Sequence, residues 1–382
     1  AYSDSVPVLC ISSCLDETAA RQGQLHQMLD QAGAARTVCD WSETATTAKA
    51  AYALIDRALM EFETMRSRPK HITVPISVLE TPAPPPPGKD IYVSGASTLA
   101  LQDLAQDILQ AKRPLFIFGG GCYDLRDYKP REAYVRRLMR RTGAAAFMTY
   151  AARGVVSPDD PMSLGANLAR PSSADVLAQA DMLITFGAEL GEGDLWRDTL
   201  GHDCHHVRID IDPQVLAQHP RADEIILANT LDVFRVLLDH LPHTDAPPKW
   251  DAAQIAVWRA QWQADVAAER QGLLPIIKAV QAALPRHTTI YSDMTQFAYM
   301  AKEVWDMHHP GFWHHPTGFG TLGYALPAAI GGAVARPDLP VAAIAGDYGF
   351  QYTLQELGTA VELGLPLPII LWDNGKLKEI ED

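Results

Sequence analysis

Residues 341–374, VAAIAGDYGFQYTLQELGTAVELGLPLPIILWDN, decide the fold of this chain. The apolar runs VAAIAG and LPIILW have the length and composition of buried strands, and TLQELGTAVELG between them has apolar residues at helical spacing. A strand, a helix and a second strand in this order predict two neighbouring parallel strands. Asp347 and Asn374 follow these strands, at the edge where open α/β sheets place their ligand sites.

The two side chains at this edge are oxygen donors. The carboxylate of Asp347 and the amide oxygen of Asn374 form half of a hard, oxygen-only site, which suits Mg²⁺ or Ca²⁺. A Gly-Asp pair after a strand also occurs in ordinary turns. The strand–helix–strand context, the position of Asn374 and a second matching segment upstream favour the metal site.

These segments resemble a known family. Gly346-Asp347-Tyr348, followed by Asn374, is similar to the diphosphate–metal motif of thiamin-diphosphate (ThDP) enzymes. Upstream, PTGFGTLGYALPAAIGGAVARP at residues 316–337 resembles the acetolactate-synthase-like branch of that family. The resemblance implies that ThDP and Mg²⁺ are the cofactors.

The resemblance also implies a set of metal ligands. Asp347, Asn374 and the backbone carbonyl of Lys376 would hold the metal. Tyr348 stands where the family usually has glycine, and we expect the following Gly349 to supply the backbone freedom that a bound phosphate requires.

Further cofactor contacts are implied by position in the same family. The carbonyl of Gly320 would face the 4′-amino group of the cofactor's pyrimidine. Leu322 would be the bulky apolar residue that keeps the cofactor bent. Thr295 and Gln296, in the loop after the strand TTIYS, would contact the diphosphate together with Gly346.

The rest of the chain follows the domain order of this family. By resemblance, it divides into the C-terminal half of a pyrimidine-binding domain (1–81), a Pro-rich linker (82–93), a Rossmann-like central domain (94–245) and the N-terminal part of a diphosphate- and Mg²⁺-binding domain (246–382). We therefore predict an α/β fold of consecutive doubly wound parallel-sheet domains.

The same resemblance predicts that the chain is the middle of a longer protein. The family's cofactor-activating Glu is expected in the absent first half of the pyrimidine-binding domain, so the catalytic residue is unknown. Relatives continue beyond the metal-site Asn through elements that cover the active site. We expect the 382 residues alone to be inactive.

Gly119-Gly120-Gly121 follow the strand PLFIF and invite a dinucleotide-binding interpretation. GxGxxG is absent there, and no helix starts directly after the glycines. Acetolactate synthases hold FAD in this domain, but the Gly-Met-His-Gly run typical of flavin binding does not occur in residues 152–172. We expect a structural domain without flavin, and FAD is the alternative.

Composition excludes several classes of partner. A formal charge of −14 argues against nucleic acid. No apolar run is long enough to predict a membrane span or a signal peptide. The five cysteines fit no metal spacing, and reduced thiols in a cytoplasmic protein are the simplest interpretation.

Histidines form two clusters, and zinc binding by either would need convergent ligands. Packing or exposed side chains are the favoured interpretation of the first cluster (His202, His205, His206) and of most of the second (His308, His309, His314, His315). The second cluster precedes the pyrimidine-contacting run. His314 or His315 is therefore a candidate proton shuttle.

The resemblance implies ThDP- and Mg²⁺-dependent decarboxylation of a 2-oxo acid by a lyase or transferase, with aldehyde release or carboligation. Alternatives are acetolactate synthase acting on pyruvate, and a non-catalytic or flavin-dependent relative. The segment after Gly346 looks closer to a sub-branch acting on the 2-oxo analogue of arginine. A homo-dimer or tetramer is implied, because family members build the cofactor site from two subunits.

Acidic residues in two segments could complement a guanidinium group. One segment is the loop with Glu189, Glu192 and Asp194, and the other is the end of the chain, EIED at residues 379–382. The alternative interpretation is a solvated surface in an acidic protein.

Overall fold

The computed structural model describes residues 1–16, 23–83, 97–124, 128–218 and 222–375. The chain divides into two compact units, Ala1–Ser94 and Gly95–Asp382. Most of the predicted linker at 82–93 lies outside the described residues. Within the described ranges, no helix has the length and apolar character needed to cross a bilayer.

The first unit is a three-stranded parallel sheet with helices. Its elements are β1 (Leu9–Cys14), α1 (Gln31–Arg36), β2 (Trp41–Thr44), α2 (Ala48–Thr64), β3 (Lys70–Pro75) and α3 (Ile76–Leu79). The strands lie in the order β1-β3-β2. The helix α2 begins where the Thr47 side chain accepts the backbone N–H of Ala50.

No residue of β1 is fully buried. Ile11 is 56% exposed, whereas β3 is buried along most of its length. β3 is the central strand of this sheet, and β1 is one of its edge strands. Lys70 in β3 is buried despite its charge, and its ammonium lies 3.0 Å from Asp40 and 2.8 Å from Glu61, which offsets its desolvation.

The second unit begins with a six-stranded parallel sheet. Its elements are α4 (Thr98–Gln110), β4 (Pro114–Phe118), α5 (Tyr128–Thr142), β5 (Ala145–Met148), β6 (Ser163–Gly165), α6 (Ser173–Leu177), β7 (Met182–Phe186), α7 (Glu192–Leu195), β8 (His205–Asp210), α8 (Pro213–Leu216), β9 (Glu224–Leu227) and α9 (Thr230–His240). The strand order β6-β5-β4-β7-β8-β9 reverses between β4 and β7, as in doubly wound folds. The predicted α/β class is confirmed.

The glycine run after β4 lies at this reversal point. The amide of Gly119 donates to the carbonyl of Phe186 at 2.8 Å, and that of Gly121 donates to the carbonyl of Gly187 at 3.0 Å. A Cβ on Gly119 would lie 2.1 Å from the Gly187 carbonyl oxygen. The glycines thus let two loops pack backbone against backbone, a role that the sequence did not separate from cofactor binding.

Gly119→Ala is expected to lower the free energy of unfolding by about 1–3 kcal/mol, because its methyl group would overpack a backbone contact. The measurement is the midpoint of chemical denaturation. Gly191→Ala is the matched control, because a Cβ there would meet no atom within 4 Å. Equal midpoints for the two variants would refute the packing role.

The second unit ends in a four-stranded parallel sheet. Its elements are α10 (Ala252–Glu269), α11 (Leu273–Ala283), β10 (Thr289–Ser292), α12 (Gln296–Val304), β11 (Trp313–His314), α13 (Ala325–Ala335), β12 (Val341–Gly346), α14 (Asp347–Tyr352), α15 (Leu357–Glu362) and β13 (Ile369–Trp372). The strands lie in the order β11-β10-β12-β13. The predicted adjacency of the strands before Asp347 and Asn374 is confirmed.

Residues 353–364, which the apolar spacing predicts as one helix, form a 3₁₀ turn followed by a short α-helix. The chain turns helical at Asp347, directly after β12, and α14 ends before Thr353. A 3₁₀ turn at Leu354–Glu356 then leads into α15. Thr353 has φ −130° and ψ 18°, which is not helical. Apolar spacing beyond Thr353 could not reveal that a first helical turn precedes it.

Candidate cofactor and metal site

The carboxyl edge of the four-stranded sheet brings the predicted metal ligands together. Gly346 at the end of β12 pairs with Trp372 at the end of β13. Asp347 lies one residue beyond the first strand and Asn374 two residues beyond the second, so both follow neighbouring strands at the same edge. Both residues are partly buried. Lys376, the third predicted ligand, lies outside the described residues.

The predicted diphosphate loop lies beside Gly346. Thr295 and Gln296 follow β10, the strand that pairs with β12. The Thr295 hydroxyl accepts the backbone N–H of Ala298 at 3.1 Å and so caps the start of α12. A Cβ on Gly346 would lie 3.2 Å from the Thr295 side chain. A helix N-terminus at this edge is suited to an anionic group.

Asp293 is a site residue that the sequence interpretation missed. It directly follows β10 and is fully buried. Its carboxylate accepts the backbone N–H of Gly323 at 3.2 Å and that of Ala325 at 2.7 Å. Burial raises the pKa of Asp293, and the backbone N–H donors act in the opposite direction. The carboxylate therefore ties the start of α13, and the loop before it, to the end of β10.

Gly349 is close to Asp293 as well. A Cβ on Gly349 would lie 2.3 Å from the Asp293 carboxylate. Gly349 lies within α14 and is not among the positive-φ glycines, so this contact is a reason for glycine that does not involve phosphate. Tyr348, at the position where the family has glycine, is 42% exposed.

The loop before α13 carries the residues expected to meet the pyrimidine. Gly320 has φ +65°, a left-handed conformation that favours glycine, and its amide donates to the carbonyl of Pro316 at 2.9 Å. Leu322 is partly buried. Phe319, which the sequence interpretation did not single out, is 82% exposed. The two predicted contact residues thus lie on one loop that Asp293 anchors at its end.

His315 is held in one tautomer. Its Nδ1 accepts the indole N–H of Trp313 at 3.0 Å, which leaves the proton of a neutral imidazole on Nε2. Nε2 lies 2.8 Å from the hydroxyl of Thr317. Burial lowers the pKa of His315 well below its usual value. The ring is therefore neutral near pH 7, and its proton points to a hydroxyl.

His314 has a different environment. Its ring stacks on Tyr291 with centroids 4.9 Å apart, and its Nε2 lies 3.0 Å from the carbonyl oxygen of Gly311. Burial lowers the pKa of His314 to about 4. Both candidate histidines are thus engaged with neighbours, and the assignment of a proton shuttle stays a prediction.

The acidic loop of the central sheet reaches the loop of the candidate site. A Cβ on Gly193 would lie 3.4 Å from the side chain of Thr317. Arg208, which is buried, donates from Nη2 to the carbonyls of Ala188 and Glu189, each at 3.1 Å. A buried guanidinium therefore fixes the start of this loop. Sequence reasoning noted the acids of the loop and missed Arg208.

The donor set fits Mg²⁺ better than zinc. In the part of the chain that the structure describes, no three His, Cys, Asp or Glu side chains converge to hold a metal. Asp347 and Asn374 instead offer oxygen, the donor that Mg²⁺ prefers, and Mg²⁺ completes its shell with phosphate oxygens and water. The start of α12 beside these donors suits the diphosphate that would share the metal.

Comparison with known proteins agrees with this geometry. Residues 101–237 match the central domain of thiamine pyrophosphate enzymes, and residues 293–382 match their C-terminal TPP binding domain. The chain is 34% identical over 393 residues to a probable 2-ketoarginine decarboxylase of Pseudomonas aeruginosa, covering 100% of the chain and 68% of the relative.

Two further relatives carry other names. The large subunit of acetolactate synthase isozyme 1 of Escherichia coli is 29% identical over 325 residues, covering 81% of the chain and 54% of the relative. A pyruvate oxidase of Lactiplantibacillus plantarum is 25% identical over 404 residues, covering 100% of the chain and 64% of the relative. The chain therefore spans about half to two thirds of these proteins. The resemblance read from the sequence is confirmed, and the chain belongs to the thiamine pyrophosphate enzyme family.

Proposed function

We propose that the full-length protein catalyses ThDP- and Mg²⁺-dependent decarboxylation of a 2-oxo acid. The observation that carries this proposal is the placement of Asp347 and Asn374 at one sheet edge, beside the capped start of α12. When bound, ThDP supplies a carbon nucleophile and accepts the electron pair that the departing CO₂ leaves behind. Membership of the family supports the same assignment.

The described residues would position the cofactor and exclude water. Asp347 and Asn374 would hold Mg²⁺, and the first turn of α12 at Thr295 would face the diphosphate. Asp293 fixes the loop that carries Gly320 and Leu322, which would set the position of the pyrimidine. Each of these residues would orient the cofactor, and the reaction itself would depend on the chemistry of the cofactor.

We propose that the substrate carries a guanidino group. The name of the Pseudomonas relative, a probable 2-ketoarginine decarboxylase, supports this assignment. The loop with Glu189, Glu192 and Asp194 supports it too, because Gly193 lies against Thr317. Carboxylates are the natural partners of a guanidinium. The acidic end at 379–382 lies outside the described residues.

The test is CO₂ release by the full-length protein with ThDP and Mg²⁺, offered pyruvate and 5-guanidino-2-oxopentanoate separately. We expect faster turnover of the guanidino acid. Glu192→Gln is expected to raise KM for that acid about tenfold and to leave pyruvate unchanged, because a charge-assisted hydrogen bond is lost. Glu224→Gln, in β9, is the matched control.

Acetolactate synthase activity is the second candidate, and the Escherichia coli relative favours it. Faster turnover of pyruvate, with acetolactate as the product, would support acetolactate synthase activity and contradict the proposal of a guanidino substrate. Absence of CO₂ from both acids would contradict the decarboxylase proposal and favour a non-catalytic relative. A yellow preparation would favour a flavin-dependent relative instead.

We also propose a homo-dimer or tetramer in the cytoplasm. The oligomer follows from family membership, because two subunits share each cofactor site in the family. The five cysteines are free thiols, which supports a reducing compartment.

A further inference from the structure

A cleft of about 480 Å³ lies in the second unit, between the central sheet and the C-terminal end of α12. Its cationic side chains are Arg153, Arg259 and Lys278, and its acidic ones are Glu303 and Asp306. Residues 303–307 form one wall at the C-terminal end of α12, whose first residue is Gln296. Because a nine-residue helix is about 13 Å long, this wall of the cleft lies about 13 Å from the first turn of α12, where the diphosphate is proposed to bind.

The acids of the cleft are already engaged by cations. Arg170 donates to Glu303 from two nitrogens, with the Nη2 hydrogen bond at 2.8 Å. The ammonium of Lys278 lies 3.6 Å from Asp306. These pairings leave Arg153 and Arg259 without a carboxylate partner among the residues that the structure describes. Arg259 donates from Nη1 to the carbonyl of Pro158 at 2.9 Å.

Arg153 is the unusual member of this group. The residue is 5% exposed, and its Nη1 donates to the carbonyls of Ala301 at 3.3 Å and Lys302 at 3.0 Å. Its Nε and Nη2 are buried and have no hydrogen-bond partner in the described ranges. The guanidinium lies over the ring of Trp313, 4.6 Å from its centroid.

A second buried cation, Lys302, raises the free-energy cost of burying positive charge here. Lys302 is 3% exposed, and its ammonium lies over the rings of Tyr150 at 4.2 Å and Tyr299 at 4.9 Å. Burial lowers the pKa of Lys302 to about 8 and that of Arg153 to about 9. Buried charge is costly unless it is paired, and here two cations lie close together in a protein of net charge −14.

We propose that this cleft binds a small molecule through a carboxylate or phosphate group, with the oxyanion on Nε and Nη2 of Arg153. These two nitrogens form one edge of the guanidinium, whose parallel N–H groups match two oxygens of such an anion. Arg259 lines the same cleft and supplies the second cation. The bound anion would satisfy both buried donors and neutralise the charge that Arg153 and Lys302 share.

The experiment is calorimetric titration of the full-length protein, in the presence of excess ThDP and Mg²⁺, with inorganic phosphate and separately with succinate, at ionic strength matched with KCl. We expect one or both probes to bind. Arg153→Gln and Arg259→Gln are each expected to weaken binding about tenfold or more, since each removes charge-assisted hydrogen bonds. Arg137→Gln is the control, because Arg137 is exposed on α5 and lies outside the cleft.

Binding of phosphate alone would identify a phosphate-bearing ligand, and binding of succinate alone a carboxylate-bearing one. Failure of both probes to bind the wild-type protein would overturn the proposal. Equal binding by all three variants would overturn it as well, because the ions would then occupy another site. If Arg153→Gln does not fold, as judged by circular dichroism, Arg259→Gln decides the outcome because its side chain is partly exposed.

Discussion

Asp347→Asn is expected to abolish Mg²⁺-dependent binding of ThDP and to lower CO₂ release by the full-length protein by at least about 100-fold. Asp347 supplies the negative charge among the proposed ligands, and Mg²⁺ is held through carboxylates in sites of this kind. The amide of Asn keeps the size of the side chain and removes its charge. The measurements are calorimetric titration with ThDP and the rate of CO₂ release.

Asp373→Asn is the control for this prediction. Asp373 precedes Asn374 on the same loop and is exposed, and its carboxylate accepts the backbone N–H of Gly375 at 3.0 Å. We expect its loss to change ThDP affinity less than about fivefold, because the net effect of an exposed hydrogen bond is about 1 kcal/mol or less. Equal losses of ThDP affinity in the two variants would mean that the negative charge of this edge, and not metal ligation by Asp347, supports cofactor binding.

Asp293→Ala is expected to lower the free energy of unfolding by about 3 kcal/mol or more. The substitution leaves the buried N–H groups of Gly323 and Ala325 without their acceptor, and each hydrogen bond to a charged group contributes about 1.5–3 kcal/mol. The same variant is expected to bind ThDP more weakly, because the loop with Gly320 and Leu322 loses its anchor. Chemical denaturation and ThDP titration measure the two effects.

Two further variants separate anchoring from loss of charge. Asp293→Asn keeps an oxygen acceptor, so we expect a smaller loss of stability than for Asp293→Ala. Asp338→Ala, at an exposed position after α13, is the control and is expected to leave the denaturation midpoint nearly unchanged. A wild-type midpoint for Asp293→Ala would show that its carboxylate does not hold the loop.

The fold could be predicted wherever one continuous segment contains the strands and the helix that determine it. Residues 341–374 contain both strands and the intervening helix, so the parallel pairing of β12 with β13 and the common edge of Asp347 and Asn374 followed from one segment. The central α/β domain was predicted from the domain order that the resemblance implies. Its strand order was not written in any one segment, because it depends on which strands pair across the chain.

The contacts that were missed join distant segments. Asp293 meets Gly323 and Ala325 across about thirty residues, and an acid after a strand carries no sign of such partners. Its one available signal was its position directly after a buried strand and before the Thr295 cap. The glycines at 119–121 suggested cofactor binding because they follow a strand. Their packing against Gly187 joins distant segments and cannot be predicted from the local sequence.

The most direct test is calorimetric titration of the full-length wild-type protein with ThDP, once with Mg²⁺ and once with a chelator. We expect that ThDP binds with Mg²⁺, that the chelator abolishes binding, and that Asp347→Asn reproduces the effect of the chelator. Absence of binding with Mg²⁺ would show that the carboxyl edge of the four-stranded sheet is not a cofactor site. Binding that survives both the chelator and Asp347→Asn would show that neither Mg²⁺ nor the Asp347 carboxylate holds the cofactor.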